Sequence, residues 1–169
     1  MKPSGWIRLA GLGSLSILLA GTMAAYATAN TVPQTRMDLD TVAISANALK
    51  PSACSALNLT NIVSGSGTVN GTAANDLVLG SAANDTLTGR GGTDCLVAGF
   101  GTDTLTGSAG NDILLGGDGN DNLLGNGGAD RLYGEGEDDS LDGGAGNDTC
   151  DGGSGTDTAT NCETPVNIP

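Results

Sequence analysis

Aspartate recurs every nine residues without a break, at Asp76, Asp85, Asp94, Asp103, Asp112, Asp121, Asp130, Asp139, Asp148 and Asp157. No histidine occurs anywhere in the chain. Ten evenly spaced carboxylates without imidazole offer an all-oxygen ligand set, which suits a hard cation and excludes zinc and copper chemistry. Calcium tolerates irregular oxygen geometry better than magnesium does, so calcium is the expected ion. If the carboxylates stack at strand spacing, about 4.8 Å, they repel one another strongly unless cations lie between them.

The elements that would position these carboxylates are written in the same period. Ten nonamers run in frame over residues 71–160, from GTAANDLVL to GGSGTDTAT. Glycine fills the first position in nine of them and the fourth in seven. Those glycines permit positive φ angles and close backbone approach in a tight turn, whose free carbonyls can also ligate a cation. The last three positions should form a short strand alternating outward, inward and outward. The inward residue is Val78, then Leu87, Leu96, Leu105, Leu114, Leu123, Leu132 and Leu141, then Cys150 and Ala159. One unit cannot bury its leucine alone, whereas a stack of them can. With two nonamers per coil, equivalent residues stack every 18 residues and the aspartates form two columns.

The units GGDGNDNLL (116–124) and GGAGNDTCD (143–151) resemble the GGxGxDxUx nonapeptide of the RTX (repeats-in-toxin) calcium-binding family. The resemblance covers residues 71–160. It implies an all-β fold, a right-handed parallel β-roll (a β-solenoid) of about ten nonapeptide turns, or roughly five coils. It also implies several Ca²⁺ ions held between neighbouring turns, with the ten aspartates from Asp76 to Asp157 as candidate ligands. Ala74 and Ala83 replace the fourth-position glycine, so the first two turns are expected to bind weakly. Ala98 replaces a first-position glycine and Glu137 a fourth-position one. The run Glu135, Glu137, Asp138, Asp139 supplies extra ligands or distorts its turn.

Lys2 and Arg8 precede an uncharged run from Leu9 to Ala27 that ends in Ala25-Tyr26-Ala27, the pattern of a cleaved secretory signal peptide at residues 1–27. No cysteine follows Leu18-Leu19-Ala20-Gly21, which argues against a bacterial lipid anchor there. The mature chain holds all 19 acidic residues and four basic ones, a net charge of −15. So acidic a chain repels nucleic acid and anionic membrane and resists its own compaction. Residues 28–49 read as a flexible linker, 50–70 as an N-terminal cap, and 161–169 as a C-terminal cap or tail.

Cys54, Cys95, Cys150 and Cys162 make an even count in an exported chain, hence two disulfides with three possible connectivities. The outward strand positions favour one of these. Leu77/Leu79, Cys95/Val97 and Ile113/Leu115 form an apolar stripe on one sheet, and Cys54 lies among Ala53, Leu57, Leu59, Ile62 and Val63. A Cys54–Cys95 bond would pin residues 50–65 over that stripe, with Cys150–Cys162 closing the other end. Otherwise the stripe is a surface for self-association or adhesion.

Paired carboxylates abound, but without histidine, a nucleophile system or an aromatic cleft they read as metal ligands rather than as an enzyme's acid and base. Asp118-x-Asn120-x-Asn122 mimics an EF-hand start, but Ala129 stands where that loop needs glutamate. The expectation is a secreted, extracellular, non-catalytic repeat protein that folds on binding Ca²⁺ and has no helix once the signal is removed. It would serve as a structural or interaction module. A calcium-dependent adhesin that self-associates is the alternative, and a hydrolase a remote third.

Overall fold

A computed structural model describes residues 45–169. The expected signal peptide, and the expected linker as far as residue 44, lie outside the described residues. The described residues form thirteen strands, all paired in parallel. Six belong to one sheet: β2 (Thr68–Asn70), β4 (Thr86–Gly91), β6 (Thr104–Ala109), β8 (Asn122–Gly127), β10 (Ser140–Ala145) and β12 (Thr158–Thr160). The other sheet has seven: β1 (Asn61–Ser64), β3 (Asp76–Leu79), β5 (Cys95–Phe100), β7 (Ile113–Asp118), β9 (Arg131–Gly136), β11 (Thr149–Ser154) and β13 (Thr164–Val166). Neighbours in a sheet are therefore alternate strands in sequence, which defines a parallel β-solenoid.

Register follows the repeat. Leu87 pairs with Leu105 and Leu105 with Leu123, each 18 residues on. One nonapeptide is half a turn of the solenoid, so the described residues make about six turns rather than ten. The excess over five coils comes from segments outside the repeats. β1 and β2 fall in the stretch expected to be cap alone, and β13 falls in the C-terminal tail. At both ends the register shortens: Asn61 pairs with Asp76 and Thr149 with Thr164, a step of 15 residues instead of 18.

Between the sheets lies a single file of inward side chains, Val69, Val78, Leu87, Leu96, Leu105, Leu114, Leu123, Leu132, Leu141 and Cys150. Each leucine is almost wholly buried, and each such burial stabilises the stack by about 2 kcal/mol. Most strands run six residues, twice the expected three, because the ladder continues through the first three positions of the next nonamer. The first-position glycine thus lies inside a strand. Gly89, Gly107 and Gly125 have no positive φ; they are glycine because the next coil's backbone and an aspartate crowd the space of a side chain. Positive φ falls instead at the second and fourth positions, including the non-glycine residues Arg90, Ser108, Asn126 and Glu135.

Residues 45–59 cover the apolar face of the seven-stranded sheet. A helical turn, α1 (Ala46–Leu49), and a 3-10 turn at Ser52–Cys54 occupy a region read as linker and cap without helix. Ala46, Cys54 and Leu59 pack with Leu77, Cys95, Ile113 and Leu115, joined at the margin by Leu49, Leu57, Val97 and Tyr133. Asn47 fastens the segment by accepting the Leu59 N–H at 2.9 Å and donating to the Leu59 carbonyl at 2.9 Å. Lys50 Nζ donates to the Leu57 carbonyl. The bonds Cys54–Cys95 and Cys150–Cys162 are both formed. Among the described residues no helix is long and apolar enough to cross a membrane.

Candidate metal centre

Each sixth-position aspartate stands where turn becomes strand, and all ten are at most 4% exposed. They form two columns. Asp76, Asp94, Asp112, Asp130 and Asp148 lie beside the seven-stranded sheet, and Asp85, Asp103, Asp121, Asp139 and Asp157 beside the six-stranded one. Within a column the backbone N–H of each aspartate but the last donates to Oδ1 of the aspartate 18 residues later. Examples are Asp76 to Asp94, Asp94 to Asp112 and Asp121 to Asp139, each at 2.8 Å. One carboxylate oxygen per residue is therefore spent on joining the coils.

The second oxygen distinguishes the repeats. Oδ2 of Asp94, Asp103, Asp112, Asp121, Asp130, Asp139, Asp148 and Asp157 is buried with no hydrogen-bond partner. Buried polar atoms are nearly always paired, so eight orphans of one kind require a partner of another kind. Asp76 and Asp85 are not orphaned. Thr72 N–H donates to Oδ2 of Asp76, and Ser81 donates to Oδ2 of Asp85 from its N–H at 2.6 Å and its hydroxyl at 2.9 Å. These are the two nonamers with alanine at the fourth position. Without a positive φ there, the turn folds its own N–H onto the carboxylate.

First-position glycines let the aspartates and the next coil pack closely, at Gly71 and Gly80 before the partnered Asp76 and Asp85 as well as before most of the orphaned oxygens. A Cβ on Gly89, Gly107, Gly116, Gly125, Gly134 or Gly143 would lie no farther than 3.0 Å from two oxygens. One is Oδ2 of the aspartate five residues on, and the other is a main-chain carbonyl of the next coil. At Gly116 these are Asp121 Oδ2 and the Gly134 carbonyl; at Gly107, Asp112 Oδ2 and the Gly125 carbonyl. Ala98 puts a methyl group at the equivalent point before Asp103. Glu137, the fourth-position departure, keeps its turn by adopting φ 73°, so the turn is preserved at the expense of some strain.

Electrostatics agree. Burial pushes the Asp112 and Asp121 carboxyls up to about 7, and Asp94 and Asp139 up to about 6, against an ordinary 3.8. The backbone hydrogen bond from the preceding aspartate opposes that rise, and charge on column neighbours adds to it. Asp103 and Asp130 are raised for the same leading reason. Among the described residues no three side-chain ligands meet at one point. A cation here must therefore draw on carbonyls as well as carboxylates, and that donor set fits a hard ion of flexible geometry such as Ca²⁺.

The RTX calcium-binding nonapeptide repeat matches in four overlapping copies, at residues 63–96, 70–105, 97–132 and 124–159. Together they span more than half of the chain. The chain belongs to the RTX calcium-binding repeat family. No curated protein and no solved structure matches it. RTX repeats bind calcium, and in this member they build a β-solenoid closed by two disulfides.

Two features of this RTX solenoid escape a reading of the repeat alone. The fifth position forms a second ladder: Asn75 Oδ1 accepts the Thr93 N–H at 2.9 Å, Asn111 that of Ala129 at 2.8 Å, and Asp138 that of Thr156 at 2.8 Å. The recurrence of Asn and Asp at that position is its only sequence signal. The other is Glu163, outside the repeats, whose Oε2 accepts the Asp148 N–H at 2.7 Å.

Proposed function

We propose that the chain is a secreted, non-catalytic calcium-binding module, a right-handed β-roll whose folding is completed by Ca²⁺ between stacked glycine and aspartate turns. The observation that carries this reading is the set of eight buried Oδ2 atoms without hydrogen-bond partners. Calcium supplies positive charge and a loose oxygen coordination shell there. The chain's own part is to hold each carboxylate in place through its Oδ1 hydrogen bond and to keep side chains out. The ligands are Asp94, Asp103, Asp112, Asp121, Asp130, Asp139, Asp148 and Asp157 with neighbouring carbonyls. Asp76 and Asp85 serve the stack instead.

Two disulfides suit an oxidising compartment, which supports export by the signal at residues 1–27. The cap over Leu77, Ile113 and Leu115 removes the apolar stripe that an adhesive, self-associating reading would use. That supports a module presented to an extracellular partner. Isothermal titration calorimetry tests the ligand assignment. Asp121→Asn should weaken calcium binding at its site roughly tenfold or more through the lost ligand charge, and Asp85→Asn should remove no calcium site, its cost falling on the hydrogen bonds from Gly67 and Ser81. Equal losses from both substitutions would refute it.

A further inference from the structure

The two aspartate columns end differently. Beside the six-stranded sheet, Asp157 is last, and the three atoms nearest a Cβ on Gly152 all belong to Asp157 rather than to a neighbouring coil. Beside the seven-stranded sheet, the chain goes on past Asp148 into residues 161–166, outside the repeats. Asn161 takes a left-handed φ of 51°, Glu163 receives the Asp148 N–H in place of a sixth-position aspartate, and Thr164–Val166 pairs with β11. The Thr164 N–H donates to the Asp148 carbonyl at 3.0 Å, as Thr158 does to Asp139 at 2.9 Å. This last half-turn copies the hydrogen bonds of a nonapeptide in a sequence that shares none of its glycines.

The oxygens of a site are copied too. Asp148 Oδ2 is 1% exposed as part of its residue and lacks a partner. A Cβ on Gly143 would lie within 3.0 Å of that atom and of the Asn161 carbonyl, the same pair of oxygens found in the regular coils. Glu163 replaces the aspartate that would come next in the column. The opposite end of this column is neutral: there Asn61 Nδ2 donates to Asp76 Oδ1 at 2.7 Å. A donating amide thus closes the end with no orphaned oxygen, and an accepting carboxylate closes the end with one. Cys150–Cys162 fixes the segment that carries Asn161 and Glu163.

We propose that Asp148, the Asn161 carbonyl and Glu163 form a terminal divalent-cation site, with Glu163 as a carboxylate ligand outside the repeat sequence. The proposal rests on the calcium reading of the repeats and extends it past their end. A metal there would tie the turn before β13 to the turn before β11, at the C-terminal end of the seven-stranded sheet.

Native mass spectrometry of the oxidised chain in calcium, beside far-UV circular dichroism, tests it. Glu163→Gln keeps an acceptor for the Asp148 N–H and removes only the charge. It should hold one calcium ion fewer than the parent chain, with the β signal and both disulfides unchanged. An unchanged ion count overturns the proposal. Loss of the β signal, or of several ions at once, also overturns it, because Glu163 would then be a structural cap. A parent chain that binds no calcium overturns the reading of the whole repeat array, a result separate from either.

Discussion

At Asp112 and Asp121 two effects compete. The N–H of Asp94 or Asp103 favours the ionised carboxylate, while burial and neighbouring charge oppose it, and burial wins. The charges that face Asp121 are Asp103 and Asp139 of its own column and Glu137 of the adjoining turn. In the metal-free solenoid these carboxyls hold protons that the unfolded chain gives up near 3.8. Stability from this source is full below about pH 4 and is lost as pH rises through about 7. Without metal, the β signal should therefore be strongest near pH 4 and fade toward neutrality, while calcium affinity falls on acidification as protons compete. A metal-free circular dichroism signal that is flat or rising from pH 4 to 7.5 would contradict this. Backbone conformation is a second property of single residues here. Ser108 has φ 88° at a second position that other nonamers fill with glycine. Ser108→Gly should raise the stability of the calcium-loaded protein by about 1 kcal/mol, read by denaturant unfolding; destabilisation would show that the serine has another role.

The strands and the cap show what a period can and cannot reveal. Strand pairing, register and inward leucines follow from the nine-residue repeat, because stacking is the one arrangement that buries ten isolated apolar residues. The apolar stripe around Cys95 and the apolar neighbours of Cys54 likewise pointed to the covalent bond between them. Less legible was whatever depends on conformation rather than pattern. The left-handed φ of Arg90, the helical turn at Ala46–Leu49 and the extra strands β1, β2 and β13 carry no repeated signal. Glu163 is invisible for the same reason, since its place in the column arises from a shortened register. The cap makes its own prediction. The Cys54–Cys95 bond spans 41 residues, and the loss of that constraint costs about 4 kcal/mol on a chain-entropy account. Cys54→Ser with Cys95→Ser should loosen residues 45–59 and uncover Leu77, Ile113 and Leu115. On size-exclusion chromatography in calcium the variant should elute as a dimer or larger, and a monomer indistinguishable from the parent would show that the cap holds without its bond.

The whole chain combines a core one leucine wide with ten buried aspartates and few basic residues. Neither disulfide neutralises that charge. One buried leucine per rung is less apolar burial than the ordering of nine residues requires. Hydrogen bonds and metal must make up the difference, so folding and calcium binding should be a single event at neutral pH. Far-UV circular dichroism of the oxidised chain during a calcium titration, with magnesium in parallel, measures this directly. The expected result is a disordered spectrum in chelator, a cooperative gain of β signal in calcium at roughly 10⁻⁴–10⁻³ M, little response to magnesium, and reversal by chelator. A β spectrum already complete in chelator at pH 7.5 and indifferent to calcium would contradict it.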